Sequence, residues 1–478
     1  MEDHLEYAMD LALKNGASYA EVRFQSDISE STLLKNGIPE VSAFETRKGI
    51  GMRVLVDGAL GFGATDILSK KEVGAVVKRT LKAAKASARM RRTPITMAKA
   101  DLGQAKIDIK ARIKFENVGM DERIDLLREA DTAAADMCQR NGAKLVGRYL
   151  SLDTWMTEKI VMTSDGARIY STTPRVALDA FLTAFDPTKG PIQRIVSFGE
   201  SCAWEAAERW DLPRTLGEES AKLATVLMKG EKLQEGIYDV VLGPDVVGII
   251  SHESSGHPAE ADRVLGREAA QAGETYLGKD AAGLKVGSDV VNVVDDPTLE
   301  RSFGRYDYDE EGVKSRRRYL IKNGVITEFL HNRSTAAELG GQSNASARSV
   351  AYNREPIVRM ANTFVEPGDH SLDELIEGVA KGVYIKNFME WNIDDRRYNQ
   401  KYVGLEAYII ENGRLKGLVR DPNLEITTPA LWSAVDAVAK DIKFSSAYCG
   451  KGDPMQGIPV WTGGPSIRLR KIRLGVRA

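Results

Sequence analysis

The chain has 478 residues, more than one hydrophobic core comfortably supports, so two domains or three are expected, each able to bury a core of its own. Hydrophobic residues at 43% and charged residues at 28% exclude wholesale disorder. Sixty-six Lys and Arg against 68 Asp and Glu leave a formal charge of −2, which excludes the global electrostatic footprint of a nucleic-acid binder.

The acidic start Met1-Glu2-Asp3-His4-Leu5-Glu6 lacks the basic and apolar character of a secretory signal. No apolar run approaches the ~20 residues of a membrane span, so no membrane partner is expected. Cys138, Cys202 and Cys449 are too few and too scattered for a disulfide framework, and a reducing cytoplasmic compartment is the simplest expectation.

Apolar residues at helical spacing from Glu2 to Lys14 predict a helix that stops at Asn15-Gly16. Residues 20–24 and 51–56 predict antiparallel strands, with turns at Asn36-Gly37 and Asp57-Gly58. A second helix is predicted from Lys70 to Ala88, running into an Arg-rich loop. Residues 122–140 and 218–228 have helical periodicity, and the stretch between them, above all 159–183, favours strands. Residues 1–230 are therefore expected to form a mixed N-terminal α+β domain, with the boundary near the polar stretch 230–236. Beyond it, Asn323-Gly324 and Asn412-Gly413 each separate strand-favouring runs, so residues 231–478 are expected to form a domain with a mainly antiparallel β-sheet. The basic runs at 89–92 and 314–318 are expected to be solvated surface.

Chemistry concentrates after the strand-like run 237–242. Pro244 and Asp245 mark a helix start, and Val246, Val247, Ile249 and Ile250 give that helix a buried face. Into it run His252-Glu253-Ser254-Ser255-Gly256-His257, holding two of only five histidines. The commoner zinc signature separates its histidines by four residues, about 40° apart on a helix, whereas five gives roughly 140°. A π-bulge, or a helix ending inside the motif, brings His257 back; Gly256 tolerates unusual dihedrals and Pro258 biases His257 away from the α region. Glu253 is then placed as a base that takes a proton from water and delivers it to a leaving amine. A third ligand is open among Glu260, Asp262 and Cys449. The two acids are equally suited to orienting the imidazoles or to plain surface, and Cys449, in a Gly-bearing loop, to a small buried hydrophobe; Cys138 and Cys202 fit that last role better still.

The histidine motif, the segment Gly304-Arg305-Tyr306-Asp307-Tyr308-Asp309 with Glu311-Gly312, and the ending Cys449-Gly450-Lys451 with Gly463-Gly464-Pro465 resemble the TldD/PmbA family. So do Gly49-Ile50-Gly51-Met52-Arg53-Val54 and Gly61-Phe62-Gly63, and the likeness covers most of the chain. The resemblance implies a zinc peptidase with Zn2+ held by His252, His257 and Cys449 and with Glu253 as catalytic base. It also implies an α+β fold and dimers whose interior holds the metal, either homodimers or heterodimers with a metal-free paralogue. The implied substrates are short or unfolded peptides, held as an added β-strand. A dipeptidyl peptidase drawing its third ligand from a later Glu-Glu helix is the competing enzyme, but Glu310-Glu311 runs straight into Gly312. A non-catalytic regulatory or binding subunit, which the family's older name of DNA gyrase modulator suggests, is the competing class. Glu253 speaks against it, because a closed structural metal site needs no base.

Overall fold

The structure, a computed structural model, describes residues 1–91, 93–268 and 273–476. Arg92, the last residue of the first basic run, lies outside the described residues. Among the described residues no helix is long and apolar enough to cross a membrane.

Residues up to Lys229 build one seven-stranded sheet with helices packed on it. Its path runs Ala59–Thr65, Ile38–Val56, Tyr19–Lys35, Lys144–Thr163, Arg168–Asp186 and Gln104–Asp108, with Gly190–Glu200 pairing the far half of Arg168–Asp186. All pairings are antiparallel except that of Gln104–Asp108, which runs parallel to Arg168–Asp186. The predicted runs 20–24 and 51–56 thus lie at the start of one strand and the end of the next, which are 17 and 19 residues long. Helices Glu2–Lys14 and Lys70–Ala88 set Leu5, Ala8 and Ala12 against Val73, Val77 and Leu81, over Val22 and Val54 of the sheet. The glycine pattern 61–63 follows from that packing: a Cβ at Gly63 would lie 2.1 Å from Thr80 Oγ1, so only glycine lets this helix come so close. Helices Met120–Arg140 and Leu212–Lys229 bury Leu127, Ala130, Leu216 and Leu223 with Leu150 and Leu178.

From Glu231 onward the chain forms a ten-stranded, a six-stranded and a two-stranded sheet. Most pairings are antiparallel; Gly236–Leu242 runs parallel to Lys381–Ile385, Asn362–Val365 parallel to Gln456–Gly464, and Arg414–Arg420 parallel to Glu231–Lys232. A single core joins Val240 and Leu469 of the larger sheet to Val293, Ile321 and Val460 of the smaller, with Val246, Val247 and Ile250 of helix Pro244–Ser251 among them. At the four predicted turns, Asn36-Gly37, Asp57-Gly58, Asn323-Gly324 and Asn412-Gly413, both residues take positive φ, between 49° and 80°, the conformation that a two-residue hairpin loop matched to the strand twist requires.

The two halves are joined through buried charge. Glu310 accepts from Arg23 at 3.0 Å and Lys159 at 2.5 Å, and Arg53 bridges Glu21 at 2.7 Å and Glu311 at 2.5 Å. The second basic run departs from the expectation of solvated surface. Arg316 and Arg317 stay partly exposed, on Glu328 and on Asp296 and Glu366, but Arg318 is fully buried on the Asp295 carboxylate and on the carbonyls of Asn344 and Ala345. Asp295 supplies the counter-charge that burial of a guanidinium demands.

Candidate metal centre

Helix Pro244–Ser251 starts on a proline whose missing N–H costs nothing at that position. Gly248 lets it lie on strand Gln456–Gly464, where a Cβ would sit 3.1 Å from the Gly463 nitrogen. The helix then changes pitch: His252–Gly256 is a π-helical turn closed by the His257 N–H donating to the His252 carbonyl, an i→i+5 bond. That bond sets residues five apart over one another and brings the two imidazole centroids to 4.9 Å.

Two local expectations fail here. Gly256 and His257 both have ordinary right-handed helical dihedrals, because a short 3-10 turn, His257–Ala259, continues the coil through Pro258. Gly256 is required by space instead, since a Cβ there would meet Met360 Sδ at 1.9 Å. Cys449 also lies in no loop. It sits inside strand Lys443–Lys451, opposite Ile458, and the strand alternation turns Cys449 and Lys451 inward while Tyr448 and Gly450 face out.

Helix and strand together bring one ligand atom each of His252, His257 and Cys449 within 4.8 Å of one another, all three buried. Cys449 Sγ lies 3.3 Å from His257 Nε2. The other imidazole nitrogen, His257 Nδ1, is 2.9 Å from Glu260 Oε2, which also accepts from Arg263 Nε at 2.7 Å. Lys451 Nζ lies 3.3 Å from the same Glu260 oxygen and donates to Asp262 at 2.6 Å and to the Val358 carbonyl at 2.8 Å. Of the three residues weighed for the third position, Asp262 and the Oε2 atom of Glu260 are engaged behind His257, Glu260 Oε1 has no hydrogen-bond partner among the described residues, and Cys449 is the one whose ligand atom gathers with those of both imidazoles.

Electrostatics agree with the geometry. Burial pushes both histidines below their ordinary value, which keeps the imidazoles neutral. Burial would raise the Cys449 thiol, yet His257 and the Arg359 guanidinium bring it down to about 7. Burial would raise Glu260 too, but Lys451, His257 and Arg263 hold it well below the usual carboxylate range. For Asp262 burial outweighs Lys451 and the carboxyl is raised. The donor set fits a divalent zinc ion, which takes neutral imidazole and thiolate readily. His252 Nδ1 also fits it, as a buried nitrogen with no hydrogen-bond partner among the described residues.

Glu253, buried beside His252, accepts from Arg397 Nη1 at 2.5 Å through Oε2. Arg397 stands at the tip of the hairpin between Phe388–Ile393 and Asn399–Gly404 with φ of 61°, and its carbonyl accepts from Thr428 Oγ1 at 2.9 Å. Ser254 Oγ donates to Gln400 Oε1 at 2.5 Å, which pins the π turn to the same hairpin. Arg397, Arg263, Arg359 and Lys451 escape sequence reasoning. Lys451 carries a signal, two residues after Cys449 on one strand face; Arg397 carries none, being 144 residues from its partner.

The chain matches the PmbA/TldA metallopeptidase C-terminal domain over residues 235–476, domain 1 of that family over 20–88 and its central domain over 113–228. A metalloprotease of Methanocaldococcus jannaschii is 30% identical over 94% of this chain and 95% of its own length. A metalloprotease of Methanothermobacter thermautotrophicus is 31% identical over 97% and 96%, and the zinc metalloprotease TldD homolog of Saccharolobus solfataricus 26% over 96% and 97%. Two solved structures share the fold. A protein from Thermotoga maritima described as a modulator of DNA gyrase has a TM-score of 0.78 at 19% identity, over 99% of this chain and 100% of that one; TldE from Thermococcus kodakarensis has 0.75 at 15%, over the same shares. With matched domains along its length and relatives similar from end to end, this chain belongs to the PmbA/TldD family of metallopeptidases.

Proposed function

We propose that the chain is a zinc-dependent peptidase in which His252, His257 and Cys449 hold the metal and Glu253 is the general base. The observation that carries this reading is the convergence of three buried ligand atoms within 4.8 Å beside a buried carboxylate. Zinc, when bound, supplies a Lewis acid that acidifies water and polarises a carbonyl. Glu253 takes a proton from the attacking water and returns it to the leaving amine. Arg397 fixes that carboxylate through Oε2, so the other oxygen is the one turned to the proton. Glu260, itself held by Arg263 and Lys451, fixes the His257 ring and leaves Nε2 for the metal.

The substrates in this reading are short or unfolded peptides. In its support, Cys449 lies on the outermost strand of the six-stranded sheet, where an extended peptide can add as a further strand next to the metal. The working form is a dimer, with a second copy or a metal-free paralogue, and the mass of the complex from its native cells distinguishes the two. The whole reading is tested by peptide turnover that stops on chelation and returns with zinc, at about one zinc per catalytic chain. Absence of zinc after mild purification, with none taken up on addition, refutes it.

A further inference from the structure

The segment Gly304–Gly312 plays no part in the chemistry above, yet most of it lines the wall of a cavity of about 440 Å³. The cavity lies between one face of the N-terminal sheet and residues 305–310, 347–350 and 457–459, with Tyr448 beside them. None of His252, Glu253, His257 or Cys449 lines it. Its volume falls in the range of about 300–1,000 Å³ usual for small-molecule sites.

Two arginines stand out among its charged groups for lack of a close carboxylate. Arg175 donates to the carbonyls of Phe303 at 3.3 Å and Arg305 at 3.2 Å. Arg348 donates to those of Met360 at 2.5 Å and Pro459 at 3.0 Å, with its guanidinium 5.0 Å from the Tyr306 ring centre. Among the described residues neither makes an ion pair within 4.0 Å. A third, Arg305, has a buried Nε with no hydrogen-bond partner, and its nearest carboxylate, Asp307, is 3.8 Å away.

The acids of the lining are largely committed elsewhere. Glu310 is taken by Arg23 and Lys159, Asp27 by Thr157 at 2.7 Å and Gln25 at 2.8 Å, and Asp309 by the backbone N–H groups of Glu311, Val313 and Ala347. Arg348 is buried and Arg175 half-buried, and cationic charge withdrawn from water without a counter-ion is unfavourable. The cost is visible in both guanidiniums. Arg175 is pushed down to about 10 by burial and then by the Arg348 charge, and Arg348 to about 10 by burial, with Arg359 adding to it. Part of the remaining wall is aromatic: Trp155 and Tyr448 lie with centroids 6.2 Å apart. Asp153 and Asp307, also in the lining, disfavour a dianion such as phosphate and leave a monoanion as the better match.

We propose that this cavity binds a small organic monocarboxylate, its anionic group received by Arg175 and Arg348 and its apolar body lying against Trp155 and Tyr448. Such a ligand supplies the missing counter-charge in the forked geometry that a guanidinium favours. The site is independent of the metal.

N-acetyl-L-phenylalanine and its neutral amide, titrated calorimetrically into the full-length chain, zinc-loaded and chelated, test this. The acid binds in both metal states and the amide roughly tenfold more weakly or not at all, the difference of one charge-assisted hydrogen-bond set. Arg175→Gln weakens the acid by roughly tenfold and leaves the zinc content unchanged. Tyr448→Ala weakens acid and amide alike. Should Arg175→Gln fail to fold, the acid and amide in the unaltered chain, with Tyr448→Ala, decide alone. Equal binding of acid and amide, or loss of acid binding on chelation, overturns the proposal.

Discussion

Replacing Cys449 by serine tests the metal centre most directly, because the proton on its sulfur sets a measurable slope. A complete protein zinc site is worth about 10–16 kcal/mol at neutral pH, so one of four positions carries on the order of 3 kcal/mol, and losing it weakens zinc binding on the order of a hundredfold. The thiol sits at about 7, so close to half of it is thiolate at neutral pH, against roughly 3% for a cysteine at its ordinary value. Both histidines are pushed below their ordinary value, so they bind few protons near neutrality. Just below pH 7 the proton that zinc displaces is therefore chiefly that of Cys449. A folded pKa lowered by the site means that affinity rises about tenfold per pH unit below 7 and levels off above it. In Cys449→Ser the hydroxyl does not titrate there, so both the affinity and the slope fall. Competition against a chromogenic chelator from about pH 5.5 to 8.5 reads both quantities. A serine variant that binds zinc within about threefold of the parent, with the same slope, refutes Cys449 as a ligand.

Glu253→Gln keeps the ligands and removes the proton acceptor; zinc content stays at the parent level while peptide hydrolysis falls by roughly 10²–10⁴-fold, and unchanged turnover would remove Glu253 from its role. Glu260→Gln loosens the His257 ring without touching the metal face and lowers zinc affinity by about 10–100-fold, measured by the same chelator competition. Arg53→Ala leaves Glu21 and Glu311 buried and uncompensated between the two halves, a destabilisation of about 3–5 kcal/mol seen as an earlier unfolding transition; a transition unmoved by the change would mean that water or rearrangement already screens the pair.

What is local in this fold is legible in the sequence. Helices Glu2–Lys14 and Lys70–Ala88 follow from their apolar periodicity, and Leu212–Lys229 extends the predicted 218–228 toward its N-terminus because Pro213 sits comfortably in a first turn. The hairpin turns follow from dipeptides that tolerate positive φ. The π turn is legible only as one of two ways to bring back a histidine five residues on. What chooses it is non-local: Met360 fills the space beside Gly256, and Gln400 holds Ser254. Arg318 shows the same limit from the other side. Within its run it looks like surface, and only the fold sets it on Asp295. Cys449 was expected in a loop because the flanking Gly450 and Gly452 suggest one, whereas Gly450 occupies an outward strand position and Gly452, at φ of 90°, marks where the strand ends.

The two ligand-bearing elements have no covalent tie nearer than the chain between residues 257 and 449, so something else must fix their separation. Lys451 does so. It stands two residues from Cys449 on the same strand face and reaches Glu260 and Asp262, which follow His257 on the other element. Each of these carboxylates then holds part of the turn: Glu260 the His257 ring, and Asp262 the backbone N–H of Arg263 at 3.0 Å. A lysine fully withdrawn from solvent is unfavourable unless its charge is met, and here two acids and the Val358 carbonyl meet it. The pairing therefore constrains position as well as charge, because moving the strand away from the turn would expose or unpair all three groups together. It thereby helps to hold the three ligand atoms within 4.8 Å of one another.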